Sequence, residues 1–151
     1  MATHTTVAAF RAALYAALVA DSTMVASLVQ IEYGEPAADR RDEVVWLGNS
    51  VTLHDNEQQS LHSGRRRRDE TYDVELTVQV ASKAAVDTNE LRAAALVGAI
   101  EDIMALDTTL SVDGVIWAVV DTFSWSTDLS GDVGSPRTTV DMTIKVMGRL
   151  V

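Results

Sequence analysis

Apolar and polar positions alternate most strictly from residue 72 to 80, where Tyr72, Val74, Leu76, Val78 and Val80 are separated by Asp73, Glu75, Thr77 and Gln79. Successive side chains of a strand point to opposite faces, so this segment predicts a strand with one face buried and the other wet. The same period closes the chain, with Val140, Met142, Ile144 and Val146 set against Asp141, Thr143 and Lys145. A shorter alternation, Val29, Ile31 and Tyr33 against Gln30 and Glu32, predicts a half-buried strand ended by Gly34. EVVWLGNSV is a compact apolar run whose length and β-branched content favour a buried strand over a helix. VIWAVVDTFSW is apolar on both faces up to Val120, which predicts a central strand, and Asp113-Gly114 before it reads as a hairpin turn out of TLSV.

Two segments carry the helical period instead. In TTVAAFRAALYAALVADSTM, the residues Val7, Phe10, Leu14, Ala17 and Leu18 recur at steps of three and four, with Thr5 or Thr6 placed to cap. Asp21-Ser22-Thr23 breaks that helix and offers an N-cap for a short turn through Met24, Val25 and Leu28. TNELRAAALVGAIEDIMAL has an apolar stripe of Leu91, Leu96, Val97, Ile100, Ile103 and Met104, opened by Asp87 or Thr88. Between residues 52 and 70 the hydrophobic periodicity stops, and the polar composition predicts a long loop of the functional or unstructured kind. Helix, two strands, loop, long strand, helix, hairpin and final strand make one domain over residues 1–151. The expected class is α+β: a two-layer sandwich with a mainly antiparallel sheet and both main helices on one face.

Composition narrows what such a domain does. A formal net charge of -10 and a pI near 4.5 argue against a dedicated nucleic-acid binder, which carries a basic field to neutralise phosphates. The absence of cysteine excludes disulfides, thiolate metal sites and cysteine nucleophiles together. The N-terminal residues lack a basic leader followed by an unbroken apolar stretch, so neither a signal peptide nor a membrane span is expected.

Catalytic constellations do not emerge. His4, His54 and His62 are scattered through polar segments without the clustering a metal requires, and no cofactor is expected. WLGNSV and LSGDVGSP match neither a phosphate-cradling loop nor a nucleophile elbow. The carboxylates, Glu101-Asp102 and Asp141 among them, read as solvated surface charge, and the chain is not expected to be an enzyme. Trp117, Phe123 and Trp125 share strand parity, which suits core or subunit-interface packing and also a small-ligand slot.

The order and character of these segments resemble the tail terminator, or tail-completion, proteins of long-tailed bacteriophages. The resemblance rests on FRAALYAALVADSTMVASLV running into IEYG, then VVWLGN, a long variable loop, DVELTVQV and ELRAAALVGAIEDIM. It implies a non-enzymatic virion subunit, assembled in the host cytoplasm, that closes into a ring, usually hexameric, at the tail–neck junction. Such a ring caps the tail tube protein's polymer, ends its growth and presents the surface for the neck or head-completion protein, with DNA only as the passing genome. A head-completion or stopper protein of the neck is the neighbouring alternative, and a small-ligand binding domain is the alternative from another class.

Arg65, Arg66, Arg67 and Arg68, followed by Asp69 and Glu70, put four of the chain's twelve basic residues in one place. Three uses fit: a solvated loop tip, a peg docking onto an acidic partner through arginine's planar fork, or contact with passing DNA.

Overall fold

The computed structural model describes residues 5–37, 40–59, 67–83, 85–129 and 136–150, and within it residues 55–59 and 67–68 by their backbone alone. Helix α1 (Val7–Ala20) buries Phe10, Leu14 and Leu18, one residue per turn. It ends at Asp21, whose extended backbone and side chain begin α2 (Ser22–Ala26) by accepting hydrogen bonds from Thr23 N and Met24 N. Strand β1 (Gln30–Glu32) follows, then β2 (Glu43–Gln59), β3 (Arg67–Val80), α3 (Val86–Leu106), β4 (Val115–Asp128) and β5 (Arg137–Leu150).

The strands form one five-stranded sheet in the order β1-β2-β3-β5-β4, with β1 parallel to β2 and every other pair antiparallel. This is the expected α+β sandwich. Helix α3 packs on β3, β5 and β4, while α1 packs on β1 and β2. The core between the layers is built from the even positions of β3 and β5: Tyr72, Val74, Leu76 and Val78 meet Val146, Ile144, Met142 and Val140 across the ladder. On the opposite face Asp73 pairs with Lys145 and Glu75 with Thr143, and the Thr77 hydroxyl donates to Asp141 at 2.8 Å.

Several boundaries differ from those the sequence predicts. Residues 52–70 are not one long loop: β2 runs to Gln59, β3 starts at Arg67, and the two stay paired throughout, while residues 60–66 lie outside the described residues. The polar composition here carries no apolar period, because main-chain pairing leaves no trace in side-chain type. TLSV is no strand. The Asp107 carboxylate gathers Thr109 N, Thr109 Oγ1 and Ser111 Oγ at 2.8–3.0 Å, and Leu110 and Ser111 turn through positive φ. These hydrogen bonds hold the Asp107 carboxyl below its usual range. Gly114, at φ +88, completes the entry to β4.

Strand β4 therefore pairs with β5 alone and is an edge strand, not the central one its apolar run suggested. Helix α3 begins at Val86 with Ala85, which has no capping side chain, at the N-cap, while Asp87 Oδ1 accepts from Thr88 N at 2.9 Å within the first turn. Its first turn is anchored instead by buried Asn89, whose amide donates to the carbonyls of Ser82 and Pro136.

Candidate functional site

The residues expected to dock a partner separate into four groups. Arg65 and Arg66 lie outside the described residues. The backbones of Arg67 and Arg68 belong to β3, opposite Gln59 and Gln58 on one side, and Arg68 also faces Leu150 of β5. Asp69 is clamped by Arg149 directly across the ladder, with Nε and Nη2 donating to its two oxygens at 2.7 and 2.8 Å. That pair holds the Arg149 guanidinium above its ordinary pKa.

Glu70 belongs to none of these surfaces. It is fully buried, and its Oε1 accepts from both the main-chain N and the hydroxyl of Thr6 at 2.6 Å. The Thr6 hydroxyl lies 2.9 Å from Tyr72 Oη. A carboxylate from β3 thus sits at the start of α1, where exposed N–H groups and the helix dipole favour negative charge. The approach is close: a Cβ on Gly148, which faces Glu70 across the ladder, would stand 2.7 Å from Thr6 Oγ1. Burial, with the Glu70 charge adding to it against the Thr6 hydrogen bond, pushes the Tyr72 phenol up to about 12. Glu70 is thereby corrected from a docking residue to a structural one. The signal was present: residue 70 is in phase with Tyr72, Val74 and Leu76, so the same alternation turns it inward.

The aromatic trio also divides. Register shifts between Val115 and Trp117 and between Val120 and Thr122 mark bulges in β4, and the second flips the parity of everything beyond it. Trp117 pairs with Met147, on the face away from the helices. Phe123 and Trp125 pair with Met142 and Val140, on the helix face. The three do not line one slot. Phe123 and Trp125 are 43% and 47% exposed, beside Ile116 at 39% and Val119 at 49%.

The wet face holds one histidine–carboxylate pair, His54 Nε2 against Asp73 Oδ2, at the second irregularity of β2. Elsewhere that face is crossed by the segment joining β1 to β2, where Arg40 stacks over Trp46 at 5.0 Å and reaches Glu35 and Gln79. Arg92 of α3 grips Glu43 at the root of β2 through Nε and Nη2 at 2.7 and 2.9 Å. Among the described residues no group of three or more histidines, aspartates or glutamates is placed to hold a metal ion, and no helix is long and apolar enough to cross a membrane.

The fold is similar to that of a solved chain described as the virion of a native gene transfer agent particle, at a TM-score of 0.57 and 17% identity. The likeness spans 97% of this chain and 100% of that one. No protein-family model matches the chain. No curated protein matches it either.

Proposed function

We propose that this chain is a structural subunit of a phage-like virion that closes into a ring, hexameric as the resemblance implies, on the end of the tail tube. The ring ends tube growth and offers the head-completion protein its seat. One observation supports this above the others: the chain shares its fold, end to end on both sides, with a chain from a virion. The features built into the fold are consistent with contact-making: exposed large apolar side chains on one edge strand, a charged open sheet face, and an arginine run whose last two residues, Arg67 and Arg68, begin β3.

In this reading the arginine run docks on an acidic neighbour, while the net charge of -10 keeps the ring from holding the genome that passes through it. The test is a tube-growth assay with the tail tube protein. Added subunit arrests elongation and leaves capped tubes, and Arg65→Ser through Arg68→Ser together yield a folded protein that joins heads to tails poorly. Tubes that elongate unchecked at saturating subunit would overturn the proposal.

A further inference from the structure

The two edges of the sheet carry complementary surfaces, and both lie on the helix side. At the β4 edge, Phe123 and Trp125 stand on the helix face of the sheet and remain exposed. At the β1 edge, α1, α2 and β1 enclose an apolar groove of about 330 Å³, lined by Tyr15, Val19, Val25, Leu28 and Ile31. Val19, Val25 and Leu28 are 46%, 57% and 73% exposed there. Leu28 also holds a positive φ of 54 that turns the chain out of α2 toward β1.

We infer that Phe123 and Trp125 of one subunit seat in the α1–α2–β1 groove of the next copy of this chain, forming the repeated contact of the ring. The inference rests on the ring reading above and names its interface. Three observations select a second copy as the occupant. A closed ring needs a heterologous contact, two different patches on opposite sides of the subunit, and these patches sit at opposite ends of one five-stranded sheet. An edge-to-edge contact repeated by rotation sets each layer against the same layer of the next copy, so aromatics on the helix side of one copy meet a groove only if it is also on the helix side, as this one is. Charge agrees as well: Arg41 is the charged residue lining the groove, and exposed Asp121 stands two residues before Phe123 on β4.

Strand direction adds a fourth consistency. β1 and β2 run one way, β3 the other, β5 back and β4 back again, so β4 is antiparallel to β1. Copies related by the ring axis therefore bring β4 beside the neighbour's β1 in antiparallel orientation, and because β1 is three residues long the side chains rather than a shared ladder carry the contact. Large aromatics pressed into an apolar groove are the usual anchors of such contacts.

The lack of native cysteine makes the test clean. A chain carrying both Trp125→Cys and Val25→Cys is oxidised, alone and with tail tubes, and resolved by denaturing electrophoresis. The expected result is a ladder of covalent oligomers ending at the copy number of the ring. A mixture of the two single variants stops at dimers. Separately, Trp125→Ser weakens subunit association by about 30-fold, as loss of an anchor residue does. Rings visible by electron microscopy with no ladder would overturn this contact and leave the ring reading standing. Dimers from Trp125→Cys alone would show a two-fold contact and overturn it too. A protein monomeric both alone and on tubes would overturn the contact and the ring together.

Discussion

The two edges of the sheet solve the same problem in opposite ways. β1 is three residues long, with little free edge for another strand to add to. β4 is fourteen residues long and paired on one side only, yet it shows Ile116, Val119, Phe123 and Trp125 to solvent. Folded monomers blunt such edges with short strands, bulges and charge, and β4 uses two bulges and Asp121 without hiding its aromatics. The difference teaches where stability resides: the strands between the edges hold the fold together, and in the proposed ring the edges make the contacts.

That division can be broken first in the middle. Leu76→Ala empties a fully buried position on β3 and is expected to cost about 2–5 kcal/mol in denaturant unfolding, whereas Trp125→Ser in the isolated subunit stays within about 0.5 kcal/mol. Comparable losses at both sites would erase the distinction.

Next in size is Glu70→Ala, which strips the acceptor from Thr6 N at the buried start of α1 and is expected to cost about 1–3 kcal/mol by the same measurement. No loss would mean that solvent satisfies this end of the helix.

Tyr72 gives a pH signature. Its folded pKa of about 12 lies above the ordinary value of 10, so the unfolded chain releases the proton first as pH rises. Stability from this group is complete below pH 10 and is lost between pH 10 and about 12. Tyr72→Phe should flatten that part of the stability profile, and an unchanged alkaline slope would contradict the burial of the phenol.

The smallest effect belongs to the pair of Asp69 and Arg149, partly exposed at the end of the ladder. A double-mutant cycle should return a coupling smaller than either loss above, and one that fades as salt is added. A larger coupling would place this end of the sheet within the stabilising core.

Much of this architecture was legible from period alone. The even positions of β3 and β5 and the helical stripes of α1 and α3 form the core, because a residue covered on one side leaves a trace every second or every third to fourth position. Leu91 of the α3 stripe departs from this at 73% exposed, and Ala93 is buried instead. What escaped notice had no such trace. The ends of β2 and β3 are paired through the main chain, which leaves no trace in side-chain type, so Asp55–Gln59 and Arg67–Asp69 read as loop. The bulge at Val120/Thr122 reverses side-chain direction without altering composition, and it parted Trp117 from Phe123 and Trp125. Edge and centre look alike on a strand with apolar residues on both faces, since a partner subunit and a neighbouring strand ask for the same side chains. Glu70 hid behind its charge, although its phase pointed inward.

The central claim is that this chain acts by closing on copies of itself. Single-particle electron microscopy of the purified subunit, alone and mixed with tail tubes, measures that directly. The expected images are closed rings of a single rotational symmetry, free or seated on tube ends. Monomers that ignore the tubes, or open filaments that never close, would contradict it.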